Sequence, residues 1–232
     1  MPQLPIACTS GIKNINPPVR LTFYPFAQGV VSNFDNNSET DVTAGLDLKY
    51  GISDSFTLDL TLVPDFGQTA FDEVRLNLGP FEQTFEENRA FFTEGVELFD
   101  KGEIFFSRRI GGPPSGAIQD LNPNETIIEA PSNVNILNAV KVSGRTKKGL
   151  GVGFLNSITE RTYATIRDSV TGSTQKKLTE PITNYNVFVV DQVFNGNSSV
   201  SLINTNVLRD GSDYRDANVT AGVFSIADKE NR

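Results

Sequence analysis

The chain has 232 residues, of which 38% are hydrophobic, enough for one sizeable domain and too few to require several. Its formal net charge of −8 argues against a nucleic-acid partner, which would need Lys and Arg concentrated on one face. There is no His, and Cys8 is the single cysteine, so a Ser-His-Asp triad, an internal disulfide and an imidazole metal ligand are all excluded. We therefore predict no metal site and no cofactor.

Residues 1–17 show no hydrophobic periodicity and are predicted to form an N-terminal linker. The remainder, residues 18–232, is rich in Phe, Val, Thr, Gly and Asn, a mixture that favours strands and tight turns over helices. No stretch approaches the roughly 20 apolar residues of a membrane-spanning helix. Any crossing of a bilayer is therefore expected to use strands.

The clearest strand signal covers residues 41–52, where apolar side chains alternate with small, polar or charged ones. After a short turn at residues 53–54 the same alternation resumes over residues 56–62, which predicts a hairpin. An earlier alternation covers residues 19–24 before Pro25 interrupts it. These segments predict the first three strands.

Weaker alternation predicts six further strands, giving nine in all. They cover residues 104–110, 136–146, 150–163, 185–194, 198–208 and 217–226. The connections are either short turns (53–54, 147–149 and 195–197) or long polar loops (29–40, 111–135, 164–184 and 209–216). Short turns at one rim and long loops at the other are typical of bacterial outer-membrane barrels. We predict an all-β, antiparallel, up-and-down outer-membrane β-barrel, incomplete in this chain because its strand count is odd.

Residues 64–103 do not fit a simple loop in this scheme. The strand before them ends at the long-loop rim, and the strand predicted at 104–110 has to begin at the opposite rim. The segment is therefore expected to cross the height of the barrel, as a further wall strand, as a Phe-rich plug in the lumen, or as both. Irregular backbone is tolerated at membrane depth only inside protein or water, so the irregular part is expected inside.

A soluble β-sandwich is the structural alternative, because its strands also alternate apolar and polar positions. Acidic side chains at polar positions, such as Asp47 and Asp59, are compatible with a barrel lumen and with bulk water alike. The pattern alone leaves both architectures open.

Several motifs resemble a family of uncharacterised outer-membrane β-barrel domains, which commonly lie C-terminal to a carbohydrate-binding module resembling family nine. The similarity runs from about Ile15 onward, and its first motifs are GLDLKYG (45–51), TLDLT (57–61), PDFGQ (64–68), FEENRAFFTEG (85–95) and FSRRIG (106–111). The family typically has F-P-E-K-R-P-F-F-L-E-G at the fourth motif. This chain departs from it at Glu86, Asn88, Ala90 and Thr93.

The resemblance implies a location in the outer membrane of a Gram-negative bacterium, in contact with lipid. The companion module implies a glycan ligand or solute, and envelope proteins are expected as further partners. The chain has neither that N-terminal module nor the terminal aromatic strand usual in such barrels, so it is expected to be a fragment or a mature form.

The candidate site is a structural network in and around the predicted plug. It comprises Asp65, Gln68, Glu87, Arg89, Phe91, Phe92, Glu94, Arg108 and Arg109. Guanidinium groups form bidentate bonds with carboxylates, so Glu87, Glu94 and the arginines are predicted to form structural ion pairs that hold the polar plug against a charged wall. The alternative makes those two glutamates a catalytic pair, as in glycoside hydrolysis. The phenylalanines are predicted to pack internally, with a stacking platform for sugars as the alternative.

Three functions follow from these observations. The leading hypothesis is a non-enzymatic outer-membrane barrel that handles glycans or related solutes. The second is a structural subunit that anchors an envelope complex. The third is a soluble β-rich carbohydrate-active enzyme that uses Glu87 and Glu94.

Overall fold

The computed structural model describes residues 19–34, 37–64, 86–116, 118, 121–195 and 197–227. Within them the fold is all-β and antiparallel, with one short helix, α1 (Ala90–Thr93). The strands are β1 (Leu21–Phe34), β2 (Asn37–Gly51), β3 (Phe56–Leu62), β4 (Glu125–Glu129), β5 (Ile136–Arg145), β6 (Leu150–Thr159), β7 (Thr162–Asp168), β8 (Thr174–Glu180), β9 (Thr183–Phe194), β10 (Ser198–Arg209) and β11 (Ala217–Ser225). None of the described helices has the length and apolar character needed to cross a membrane.

Eight of the strands form one antiparallel sheet, in the order β1-β2-β3-β5-β6-β9-β10-β11. The predicted hairpin is confirmed, because β2 and β3 pair from Leu46 opposite Leu62 to Gly51 opposite Thr57. β1 and β11 form the two edges and do not pair with each other in the described residues. The sheet is therefore open as described.

The predicted loop at residues 29–40 is wrong, because β1 continues to Phe34 and β2 begins at Asn37. Pro25 lies inside β1 opposite Leu46 and does not end the strand. β1 is an edge strand, where one side of the backbone has no ladder partner and a missing N–H is tolerated.

The predicted strand at residues 104–110 is also wrong. The chain there forms a 3₁₀ turn at Ser107–Arg109, and the Ile110 N–H donates to the Ser107 carbonyl at 2.9 Å. Its apolar side chains pack into a cluster rather than along a sheet face. β3 consequently pairs directly with β5, so the chain leaves and re-enters the sheet at the same end. The connection from β3 to β5, which includes residues 64–103, is therefore not required to cross a barrel; residues 65–85 lie outside the described residues.

The two longest predicted loops contain a second sheet, of β4, β7 and β8. The predicted strand at 150–163 is divided into β6 and β7, and the latter buries Ala164 and Ile166. The β8 segment reads TQKKLTE, with one apolar residue, so no alternation marks it in the sequence.

The two faces of the eight-stranded sheet differ sharply in polarity. One of them, called the exposed face below, carries large apolar side chains that keep between 37% and 74% of their surface exposed: Leu21, Phe23, Val42, Leu62, Leu150, Phe154, Phe188, Phe194, Val200, Leu202, Leu208 and Phe224. The other, called the covered face, holds the buried hydrophobic residues of the sheet together with buried polar ones: Ala139, Leu155, Val187, Val189 and Ile203, with Thr61, Lys141, Ser157, Thr159, Thr183, Asp191 and Ser201.

Candidate functional site

Residues 86–110, called the covering segment below, pack against the covered face of the sheet. Its buried hydrophobic residues are Phe92, Leu98, Phe99 and Ile110, and they form one cluster with Ile136, Leu155, Val187, Val189 and Ile203. Phe99 is completely buried at the centre of this contact. The segment contains most of the predicted site residues, so the candidate site is the interface between it and the sheet.

Two glycines of β6 make room for the covering segment. A Cβ atom at Gly153 would lie 3.0 Å from Cζ of Phe99, and one at Gly151 would lie 2.8 Å from Cδ2 of Leu98. Both distances are shorter than ordinary van der Waals contact between carbon atoms. The alternating glycines of β6 therefore form a shallow recess on the covered face into which these side chains fit.

Arg89 joins the two ends of the covering segment. Its Nε and Nη2 atoms donate to the Glu87 carboxylate at 2.8 and 2.6 Å, a bidentate pair. The same guanidinium donates to the carbonyls of Ile110 at 2.6 Å and Ser107 at 2.9 Å, and it lies 4.3 Å from the centre of the Phe92 ring. The Arg89 side chain is only 7% exposed, so this contact is a buried structural clamp.

The Glu87 carboxylate is held in its ionised form by this clamp. Burial alone would raise the pKa of the Glu87 carboxyl, but hydrogen bonds from Arg89 and Ser107 outweigh burial and lower the pKa below its ordinary value. The Ser107 hydroxyl donates to Glu87 at 2.6 Å. Glu87 therefore supports the clamp as a charged acceptor.

Lys141 of β5 fastens helix α1 to the sheet. Its side chain is fully buried, and Nζ donates to the backbone carbonyl of Phe91 at 2.6 Å and to that of Glu94. The Asp59 carboxylate of β3 lies 3.6 Å from the same nitrogen, and the Phe91 ring centre lies at 4.8 Å. One ammonium group thus binds both the segment and the neighbouring strand.

Lys49 of β2 extends this cluster toward the sheet edge. Its ammonium group hydrogen-bonds the Glu94 carboxylate and lies 3.8 Å from Asp59. That hydrogen bond from Lys49 lowers the pKa of the Glu94 carboxyl. Glu94 therefore pairs with a lysine of the sheet, a partner that the sequence did not identify.

A third charged contact lies nearer the short turns. Asp191 of β9 is fully buried, lies 2.6 Å from Nη2 of Arg145 and accepts a 2.5 Å hydrogen bond from the Ser201 hydroxyl. Lys101 of the covering segment approaches Asp191 to 4.0 Å, and Glu97 lies 3.6 Å from Arg145. Charged groups of the segment and of the sheet are thus interleaved here.

The structure brings together part of the predicted network. Phe91 and Phe92 pack edge to face at 5.0 Å, and each lies against a cation, as internal packing predicts. Arg109 lies 6.0 Å from the Phe106 ring centre, and Arg108 is half-buried in the same turn. Asp65 and Gln68 lie outside the described residues.

The charged residues of the sheet that hold the covering segment were not predicted from the sequence. Lys49, Lys141, Arg145 and Asp191 all stand at polar positions of alternating strands. In the sequence they could be noticed only as long charged side chains on strands whose other positions are Val, Leu or Gly. A strand that faces water on one side has the same pattern, so the pattern did not identify them.

The arrangement of Glu87 and Glu94 does not suit paired-carboxylate catalysis. Different cations hold them, Arg89 in one case and Lys49 in the other, and both carboxyl pKa values are lowered. A general acid for glycoside cleavage needs a raised pKa. In the described part of the chain, no three His, Cys, Asp or Glu side chains are grouped to hold a metal ion.

Comparison with known protein families gives one match. A family model described as "Domain of unknown function (DUF5916)" matches residues 17–232. The chain belongs to this family. No curated protein and no solved structure matches it. The matched residues of this DUF5916 domain include the eight-stranded sheet and the covering segment, which makes their interface a property of the domain itself.

Proposed function

We propose that this DUF5916 domain is a sector of the wall of an outer-membrane β-barrel in a Gram-negative bacterium, with the covering segment as its lumenal plug. The observation that carries the proposal is the polarity of the two faces. The apolar face of the sheet is exposed, and the polar face is covered by chain. A water-soluble domain buries its apolar face, whereas the wall of a membrane barrel turns it toward lipid.

The distribution of charge supports the same proposal. At exposed-face positions of the described strands there is no Asp, Glu, Lys or Arg. The covered face carries Lys49, Asp59, Lys141, Arg145 and Asp191. A charged side chain on the lipid side of a barrel costs about 2–4 kcal/mol at the bilayer midplane, so its absence there is expected of a membrane wall.

The size of the exposed apolar surface also disfavours a soluble sandwich. The exposed side chains are distributed over β1, β2, β3, β6, β9, β10 and β11, so they form a continuous surface across the sheet. Soluble monomers rarely expose contiguous apolar patches larger than a few hundred Å². Lipid contact gives this surface a partner.

Solute or glycan handling by this barrel follows from the resemblance to domains that accompany a carbohydrate-binding module, and we retain it as the leading activity. The second candidate, an anchor for an envelope complex, is favoured by one observation. The covering segment is fastened through Arg89, Lys141 and Asp191, so solutes would pass this part of the lumen only if those contacts opened.

A matched pair of substitutions tests the membrane location. Leu202 on the exposed face is 52% exposed, and Ile128 in β4 of the small sheet is 53% exposed. In a lipid-facing wall, Leu202→Arg should destabilise the protein in bilayers by about 1–2 kcal/mol, a value between the cost at the bilayer midplane and the cost near the interface. In a soluble domain both substitutions would be surface changes, which alter stability by no more than about 0.5 kcal/mol.

The measurement is urea unfolding of the full-length protein in phosphatidylcholine vesicles, with Ile128→Arg as the control. Equal tolerance of both substitutions, or release of the protein from membranes by high salt without detergent, would refute the membrane proposal. Planar-bilayer conductance then separates the two activities, because a channel passes ions or solutes and an anchor with a fixed plug does not.

A further inference from the structure

One row of directly opposite residues on the exposed face changes from apolar to polar side chains halfway across the sheet. It runs perpendicular to the strands through directly paired residues: Phe23, Leu48, Leu60, Val140, Asn156, Asn186, Asn206 and Asn218. The first four, on β1, β2, β3 and β5, are apolar. The last four, called the amide row below, are all asparagine and lie on β6, β9, β10 and β11.

The apolar part of each strand shifts in step with this change. On β2, apolar residues of the exposed face continue beyond the row toward the start of the strand as far as Val42, which is 73% exposed. On β10, the apolar run that begins near the short turn ends at Leu202, four residues before the amide row, and Leu208 is the one apolar residue of this face beyond the row. The boundary between apolar and polar positions therefore crosses the sheet obliquely. From β2 to β11 it lies progressively closer to the end of the sheet that carries the short turns.

We infer that this slanted boundary is the membrane–water boundary, and that the amide row lies in the lipid headgroup layer. The inference rests on the proposed wall function. It adds that the apolar part of the exposed face contacts lipid hydrocarbon and that the amide row contacts lipid headgroups. A bilayer surface is flat, so it cuts a wall of tilted strands at a different residue on each strand. With adjacent strands about 4.8 Å apart and a rise of about 3.3 Å per residue, the slope corresponds to a strand tilt on the order of 45°.

The chemistry of the amide row fits headgroups. Its side chains are uncharged and offer both donors and acceptors, and they link neighbouring strands. Asn156 Nδ2 donates to Oδ1 of Asn184 at 2.6 Å and of Asn186 at 2.8 Å, and Asn204 Nδ2 donates to Oδ1 of Asn218 at 3.0 Å. In hydrocarbon the remaining amide groups would lack partners, at a cost of several kcal/mol each. At headgroup level, water and lipid polar groups supply them.

The next row toward the long loops contains Ile158, Asn184 and Leu208. Its mixed character fits the headgroup layer, where apolar and polar side chains coexist, as in the interfacial girdles of membrane proteins. Leu208 is 44% exposed, so it is available to such a layer.

The test compares positions that share the row but should differ in depth. In the full-length protein with Cys8→Ser, single cysteines at Leu60, Val140, Asn186 and Asn206 are spin-labelled after reconstitution into phosphatidylcholine vesicles. Collision with oxygen, which partitions into the bilayer, is compared with collision with a water-soluble nickel chelate. A label at Val190, four residues from Asn186 on the same strand toward the short turns, serves as the matched control.

We expect labels at Leu60, Val140 and Val190 to be several-fold more accessible to oxygen than to the chelate, with the preference reversed at Asn186 and Asn206. From Leu60 to Asn206 the depth should change by about 13 Å for a tilt near 45°. Equal depth along the row would overturn the inference while leaving a membrane wall intact. Shielding of the asparagine positions from both agents would overturn it in favour of a protein partner. Chelate access at every position would refute the wall itself.

Discussion

Lys141 is the anchor whose removal should most clearly release the covering segment from the sheet. Its buried ammonium group satisfies the carbonyls of Phe91 and Glu94 and neutralises Asp59. Lys141→Met keeps the length of the side chain but leaves those groups without the buried cation. Breaking a buried charged contact from one side costs about 3–5 kcal/mol. We expect a loss of stability at the lower end of this range, because Lys49 remains 3.8 Å from Asp59.

A loss of about 3 kcal/mol raises the opening equilibrium roughly 150-fold, since each 1.36 kcal/mol is tenfold. Hydrogen exchange of the full-length protein in vesicles measures this, because the amides of Phe92, Glu94 and Phe99 are hydrogen-bonded within the segment. Their exchange should accelerate while amides of β9 keep their protection. Lys147→Met, at an exposed turn position, is the control. If the segment exchanged at its original rate in Lys141→Met, the anchoring role derived from these contacts would be refuted.

Three further perturbations test other contacts of the covering segment. Gly153→Ala should destabilise the protein by about 1–3 kcal/mol in urea titrations, because the new methyl group meets Phe99, and Phe99→Leu should restore part of the loss. Gly29→Ala, where no atom lies within 4 Å of the new Cβ, should have little effect, and equal losses at the two glycines would contradict the recess. Arg89→Lys should lower stability by about 2 kcal/mol because it loses the bidentate pair, and wild-type stability in that variant would show that the clamp is dispensable. Because the folded-state pKa of Glu87 is lowered, its stabilisation is present above its ordinary pKa of 4.5 and is lost as the pH falls through the lower folded value. Protection of the segment, measured as exchange relative to the intrinsic amide rate at each pH, should therefore fall in acid in the wild type, and Glu87→Gln should weaken that dependence, with the lowered pKa of Glu94 accounting for the remainder; an unchanged acid response in the variant would assign it to another group.

The hairpin of β2 and β3 could be predicted because each of its faces is uniform in character. A period of two is decisive when every second residue is apolar, as from Val42 to Ile52. The extension of β1 past Pro25 could not be predicted in the same way. The sequence does not reveal which strand lies at an edge, and only an edge strand tolerates that proline.

The strand predicted at residues 104–110 shows that a strand-like pattern can also occur in a segment that is not a strand. Its apolar residues Ile104, Phe105, Phe106 and Ile110 form a short run that a strand could also contain, but these side chains belong to a segment that turns back on itself. Periodicity reports which side chains avoid water and says nothing about what they pack against. Here the Arg89 clamp draws residues 107 and 110 together through their carbonyls, which an extended strand would keep apart.

The sequence predicted an ion-pair network for the site, but it identified a partner for Glu87 only. Glu87 does pair with Arg89, two residues away. Glu94 instead pairs with Lys49, which is distant in sequence and is brought close only by the pairing of β2 with β3 and β5. Sequence proximity therefore located the local clamp and missed the long-range anchor.

The polar character of the covered face explains why the covering segment is fastened by charge as well as by hydrophobic packing. A polar face offers little hydrophobic driving force, and the apolar patch formed by Leu155, Val187, Val189 and Ile203 occupies only its centre. On either side of that patch the contacts are ionic, through Lys141 and through Asp191. Acid or substitution of one charge should therefore loosen the segment while the hydrogen-bonded strands stay paired. In the proposed wall, the segment and the lipid-facing surface thus respond to different agents, protons in one case and detergent in the other.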